Sequence, residues 1–296
     1  MAPNQRVENG AGGSEMKLQV KELTDTRCSF MVEGTTPDVV NTLRRILISE
    51  VPKMAIDEVE FHMGPIRDES GNEYDSSSAL FDEMISHRLA MVPVPTDLKN
   101  FTFRDTCECE GAGCPHCTII YVLNKKGPCT VYSGDLQPLG DVTLRIKEEL
   151  IPIVKLKEKQ ALLIYATAIL GRGKDHAKWQ PVTICGYKYH PKLSLTNKDQ
   201  KDPENTYGIW DHESKSFIVE GLDRSELCHV CRQNVENNEG MEDPKFELCG
   251  RDDKFIFTFE TDGAITAKDA LEYALEYLSN KYEEFREDIS GIDEKA

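Results

Sequence analysis

The chain has 296 residues, with 35 Lys and Arg against 52 Asp and Glu, for a formal net charge of −17. That length suggests about two domains, and the acidic balance disfavours a protein that grips nucleic-acid phosphates by itself, which would show a basic face. No run of about 18 apolar residues exists, and the longest apolar segment, Ala161 to Leu170, is broken by Tyr165 and Thr167. The expectation is a cytoplasmic protein with no membrane contact.

Taken in chain order, residues 1–15 hold Asn4, Asn9, Gly10, Gly12 and Gly13 with no apolar core, and read as a disordered tail rather than a signal peptide. Lys17 to Leu23 alternates, with Leu18, Val20 and Leu23 against Lys17, Gln19 and Lys21. Ser29 to Val32 is a second strand-like run before Gly34. A helix follows: Thr36 can cap its first turn, Pro37 suits its first position, Asp38 complements its dipole, and Pro52 stops the run. Val39, Leu43, Ile46 and Leu47 share one face at helical spacing. By pattern alone this helix packs on its own sheet, and Arg44 and Arg45 lie on a solvated face.

At the other end Phe255, Phe257 and Phe259 alternate with Ile256, Thr258 and Glu260, a strand with one apolar face. Thr266 and Asp269 then have capping-box spacing. Leu271, Ala274, Leu275, Leu278, Tyr282 and Phe285 recur near the 3.5-residue period of a paired helix. Two strand-helix units at opposite ends complete one α+β layer only if the sequence between them is inserted. Acidic charge concentrates late in the chain: residues 198–254 carry 8 Lys and Arg against 15 Asp and Glu, and residues 260–296 carry 4 against 11.

Ten cysteines in a chain of this kind argue for metal rather than disulfides. Cys107, Cys109, Cys114 and Cys117 are spaced C-x-C-x4-C-x2-C, and Gly111 and Gly113 let the chain reverse so that four thiolates meet one tetrahedral zinc. Such a site leaves no open position, so the zinc is structural. Cys228 and Cys231 form a weaker pair, with Cys249 and Cys185 as further candidate ligands. The third position of a C-x2-C-x2-C run is Asn234 and no Cys-Pro follows, so an iron-sulfur motif is degenerate. Cys28 and Cys129 read as structural.

His87 and His176 have no nucleophile beside them in sequence, and neither a glycine-rich phosphate loop nor an Asp-rich metal constellation for nucleotide polymerisation is identifiable. Gly171-Arg172-Gly173 reads as a short turn. Trp179, Trp210, Tyr187 and Tyr189 read as core or interface aromatics rather than a base-stacking platform. No residue is marked as catalytic.

Three segments carry a family resemblance. Asn41 to Pro52 resembles the helix by which α-type subunits of cellular RNA polymerases dimerise. Asp82 to Val94 and Asp175 to Val182 resemble the His-Arg-Leu and His-Ala-Lys-Trp segments of the archaeal and eukaryotic members. The resemblance covers roughly residues 16 to 290 and is closest to the archaeal D-type members. It implies an α+β fold in which a discontinuous dimerisation domain, 16–60 and 255–290, is split by a mostly β inserted domain, 61–182. A small ferredoxin-like accessory domain would occupy 183–254. It further implies a non-catalytic assembly subunit that pairs with an L-type α-like subunit, then recruits N- and P-type small subunits and the large catalytic subunits. Leu43, Ile46 and Leu47, with Leu271, Leu275, Leu278 and Tyr282, would form the platform, and Arg44 and Arg45 would face a large subunit. Several eukaryotic relatives have a similar zinc loop, and archaeal members often carry an iron-sulfur domain where Cys228 and Cys231 lie. The competing readings are an independent zinc-dependent enzyme, which needs an open three-ligand site, and a stand-alone iron-sulfur redox protein.

Overall fold

The structure is a computed structural model that describes residues 16–67, 71–195, 209–211, 216–218 and 246–293. It is α+β, with most of the regular structure in strands and three α-helices among the described residues. Two compact units are present. The first takes Met1–Lys21, Ser29–Asn41 and Gly186–Phe257, and the second Glu22–Cys28, Thr42–Cys185 and Thr258–Ala296.

The first unit is built on a six-stranded sheet. Strands β1 (Lys17–Leu23), β2 (Arg27–Glu33), β11 (Val182–Leu195), β12 (Ile209–Asp211), β13 (Ser216–Ile218) and β14 (Phe246–Thr261) pair in the order β1-β2-β14-β11-β13-β12. Strand β2 therefore lies between its sequence neighbour β1 and β14, a strand more than 200 residues later. The Phe255, Phe257, Phe259 face is fully buried, as its alternation implies, and Phe30 of β2 stacks on Phe257 at 5.1 Å. Tyr187 and Tyr189 pack against Phe255 at 5.9 and 5.1 Å, so both are core aromatics. In β1 the alternation buries nothing: every residue is exposed, with Leu18 at 58% and Val20 at 54%. It is the edge strand, and no layer covers either of its faces among the described residues. Of the expected accessory domain over 183–254, the described parts are β11 to β13 and the start of β14, which extend this sheet.

The second unit holds a four-stranded sheet in the order β3-β10-β6-β8, from β3 (Pro52–Phe61), β6 (Thr118–Lys126), β8 (Gln137–Pro138) and β10 (Ala161–Arg172). All three pairings are antiparallel, with a register shift where Asp57 of β3 bulges opposite Thr167 and Ala168 of β10. Short pairs β4 (Ile66–Arg67) with β5 (Glu73–Tyr74), and β7 (Cys129–Tyr132) with β9 (Pro152–Leu156), flank it. Helix α2 (Asp82–Ala90) places Ile85 and Leu89 in the core beside Met54, Ile56, Tyr121 and Ile164, and its acids Asp82 and Glu83 sit in the first turn. His87 is on the exposed side of that helix.

Helix α1 (Pro37–Ser49) starts and stops where Thr36, Pro37 and Pro52 require, and β3 begins at Pro52 itself. The hydroxyl of Thr36 hydrogen-bonds Asp38 and holds that exposed carboxyl below its ordinary range. Helix α3 (Ala267–Asp293) begins where Thr266 accepts a hydrogen bond from the Asp269 N–H at 3.1 Å and donates its own to the Asp269 carboxylate at 2.6 Å. Lys53 and Asp262, 5% and 12% exposed, form an ion pair at 2.6 Å, and Lys53 also donates to the Gln180 carbonyl. That pair stitches the start of β3 to the turn before α3. None of the described helices is long and apolar enough to cross a membrane.

Candidate functional site

Two features carry chemistry or recognition. The first is the cysteine loop. Phe101 and Phe103 root it on the core, a single 3-10 turn (Arg104–Thr106) leads into Cys107, and Cys117, fully buried, hands the chain to β6. Glu110, Gly111 and Gly113 have φ of 51°, 83° and 87°, the left-handed region that glycine enters without strain. The reversal anticipated at the two glycines is present. The base is closed by the Thr102 N–H donating to the His116 carbonyl at 2.9 Å.

All four sulfurs lie within 4.8 Å of one another. The Sγ–Sγ distances are 3.5 Å for Cys107 and Cys114, 3.6 Å for Cys109 and Cys117, and 3.8 Å for Cys114 and Cys117. A tetrahedron with Zn–S bonds of about 2.3 Å has edges of about 3.8 Å, so the sulfur cage fits one zinc. It is too open for disulfide bonds, whose sulfurs sit about 2 Å apart. Backbone donors face the sulfurs: the N–H of Cys114 reaches Cys117 Sγ at 3.3 Å. The Gly113 N–H brings Cys109 down to about 6, and the Cys109 N–H lowers Cys107. For Cys114 the His116 N–H acts downward, but the neighbouring thiol of Cys107 and its other surroundings outweigh it and push the group up to about 11. Arg104 donates from Nε to the Gly111 carbonyl at 2.9 Å and pairs with Glu58 of β3 at 3.5 Å. It sets a cation beside a cage that would carry two negative charges when metal-loaded.

The second feature is a pair of helix faces. In α1, Ile46 and Leu47 are buried within the chain and Val40 is also covered, whereas Leu43 is half-buried and Val39 exposed. Arg44 is half-buried and Arg45 exposed. In α3 the buried line is Ala267, Ala270 and Ala274, each 0% exposed. The adjoining line is open: Leu271 and Leu278 are half-buried, Leu275 is 49% exposed, Tyr282 62% and Phe285 63%. Every residue from Ser279 to Ser290 is exposed, yet the apolar positions 275, 278, 282, 285 and 289 keep alternating three- and four-residue steps. That is the spacing of a coiled-coil seam.

The remaining sequence candidates fall elsewhere. His176 Nδ1 accepts from the Lys178 N–H, and Trp179 lies on Gly171 with its Nε1 donating to the Ile169 carbonyl. Both are structural. Cys185 points its thiol at the Arg44 carbonyl, at 4.0 Å, and burial pushes it up to about 12. Cys228 and Cys231 lie outside the described residues, and Cys249 is on β14. Sequence reasoning missed Arg104 as the clamp of the loop and Lys53 as a buried ion; the Arg104–Glu58 and Lys53–Asp262 pairs join segments that nothing local links.

The model of the RNA polymerase Rpb3/Rpb11 dimerisation domain matches residues 29–282. DNA-directed RNA polymerase subunit Rpo3 of Picrophilus torridus is 42% identical over 278 residues, covering 92% of this chain and 99% of that relative. The chain belongs to the archaeal Rpo3 family, the D-type α-like subunits of RNA polymerase. The Rpo3 subunits of Thermoplasma volcanium and Methanosphaera stadtmanae match at 42% over 270 residues and 33% over 279, covering 90% of this chain in each case and 97% and 96% of those relatives. The half-open face of α1 lies in the Asn41 to Pro52 segment, and the open seam of α3 is the line of apolar residues at the 3.5-residue period.

Proposed function

We propose that this chain is a non-catalytic assembly subunit of a cytoplasmic DNA-directed RNA polymerase, and that it pairs with an L-type α-like subunit through α1 and α3. The observation that carries the reading is the uncovered seam of α3, five apolar positions at heptad spacing that this chain leaves open or half-open. Exposing such a seam to water opposes solubility, and a partner helix removes it. On α1, Val39 and Leu43 offer a second apolar face, and Ile46 and Leu47 are buried behind it. Arg44 and Arg45 then border the platform and meet a large catalytic subunit, with N- and P-type small subunits joining the assembly.

The domain partition follows from this reading: 16–60 and 255–290 form the dimerisation domain, 61–182 the insertion and 183–254 an accessory domain. Zinc at Cys107, Cys109, Cys114 and Cys117 is structural, because four thiolates leave no position for water or substrate and the loop has few apolar residues with which to order itself. Four occupied ligand positions also tell against an independent zinc enzyme. The degenerate spacing after Cys231 tells against an iron-sulfur redox protein.

Leu43→Asp is the test of the platform. An unpaired carboxylate in an apolar interface abolishes the complex with a co-expressed L-type subunit. Full recovery of a 1:1 complex from that variant refutes the assignment of α1.

A further inference from the structure

The turn Gly171-Arg172-Gly173-Lys174, which looks like a mere connection in the sequence, docks on the C-terminal end of α1. A Cβ at Gly173 would stand 2.1 Å from the Ile48 carbonyl oxygen, so only glycine permits the approach. The Lys174 N–H donates to the Ser49 carbonyl at 3.1 Å, satisfying a terminal carbonyl for which the helix itself has no donor. Across 124 residues of chain, Lys174 Nζ reaches the Glu50 carboxylate at 3.1 Å. Glu50 is also hydrogen-bonded to Tyr277 of α3. Glu50, gripped by the turn, thus ties the end of α1 to α3.

Its arginine points the other way along the chain of contacts. The Arg172 guanidinium lies over the Phe103 ring at 4.6 Å, and Phe103 immediately precedes Arg104, the clamp of the cysteine loop. Arg172 Nε is buried without a hydrogen-bond partner among the described residues. Such a donor is tolerated where something else holds the group in place, and here the plane-on-ring contact with Phe103 does so. Arg172 also lies within electrostatic reach of Lys281 on α3.

We propose that Arg172 is a positioning residue that couples metal loading of the Cys107–Cys117 loop to partner binding at α1 and α3. The inference rests on the function proposed above. The two-state element is the tip of the loop from Cys107 to Cys117: loaded, it fixes the Gly111 carbonyl that Arg104 binds; stripped, Phe103 keeps its seat on the core but the tip has little to order it. Loss of that order frees Arg104, shifts the neighbouring Phe103 ring on which Arg172 lies, and loosens the turn that braces Ile48, Ser49 and Glu50. Linkage then runs both ways, with zinc tightening the partner and the partner tightening zinc by the same factor.

The test uses the full chain, zinc-loaded and chelator-stripped, titrated with an archaeal L-type subunit, and zinc affinity measured by competition with a colorimetric chelator with and without that subunit. For the native chain the two affinities shift together by about tenfold, within the usual range of coupling. Arg172→Met reduces the shift to under about twofold while both ligands still bind, and Arg172→Lys, which keeps the cation over the ring, restores part of it. Should Arg172→Met fail to fold, Phe103→Leu removes the same contact from the other side. Zinc-independent partner affinity in the native chain, or an undiminished shift in Arg172→Met or Phe103→Leu, overturns the coupling alone. A chain that takes up no zinc, or forms no complex, overturns the proposed function and the coupling together.

Discussion

Replacing Tyr282 and Phe285 together by alanine separates a partner seam from a core face. The two residues are 62% and 63% exposed, so little packing against the described residues is lost when the rings go, and alanine favours the helix. The isolated chain should keep its stability to within about 0.5 kcal/mol. If the rings instead bury against an L-type helix, each contributes about 2 kcal/mol, within the usual range for a large apolar side chain. The pair is then worth about 4 kcal/mol, or roughly a thousandfold in Kd. Isothermal titration calorimetry of the double variant against the L-type subunit reads that loss, with thermal unfolding of the free chain as its control. Glu287→Ala, on the far side of α3 by helical periodicity, leaves the affinity within twofold. A double variant that binds like the native chain refutes the seam, and one that melts well below it shows that the rings belong to this chain's own core.

Further outcomes follow from other contacts. Lys53→Met leaves the Asp262 carboxylate without its cation in a site where Lys53 is 5% exposed, and lowers stability by about 3–5 kcal/mol in a denaturant titration; Lys53→Met combined with Asp262→Leu recovers much of it. Gly173→Ala forces a Cβ to within 2.1 Å of the Ile48 carbonyl, and the resulting overpacking costs about 1–3 kcal/mol, read as a drop in Tm. Zinc retention falls as pH falls: binding needs all four thiolates, and Cys114, pushed up to about 11, holds its proton at neutral pH in the metal-free loop, so loading releases protons and acid reverses it. Dialysis at pH 5 against a chelator followed by metal analysis should show loss, with retention at pH 8. Cys109→Ser removes one ligand and lowers zinc content in the purified chain, while Cys129→Ser, outside the cage, leaves it unchanged.

What the sequence made legible was local. The bounds of α1 follow from Thr36, Pro37 and Pro52, which act within a turn of themselves. The cysteine cage follows from four ligands within eleven residues and two glycines free to enter positive φ. The alternation of Phe255, Phe257 and Phe259 exposed the central strand for the same reason. What stayed hidden depends on surfaces or on distant partners. In α3 the apolar arc includes both the alanine line and the Leu275 to Phe285 line, and hydrophobic periodicity has no means of telling which part this chain covers. In β1 the alternation is real but the strand is at the edge, so both sides stay open. The Lys53–Asp262 pair joins residues 209 apart, and the Gly173 approach to Ile48 depends on a backbone 125 positions earlier. Neither leaves a local mark. A Gly-Arg-Gly-Lys turn in sequence is only a turn until the helix end it caps is known.

Native mass spectrometry of this chain co-expressed with an archaeal L-type subunit tests the assembly role most directly, since it records stoichiometry and bound metal in one spectrum. A 1:1 complex whose mass includes one zinc is the result the account predicts. A zinc-loaded chain that stays monomeric in the presence of the L-type subunit contradicts it, and would return α1 and the α3 seam to features of a protein with some other task.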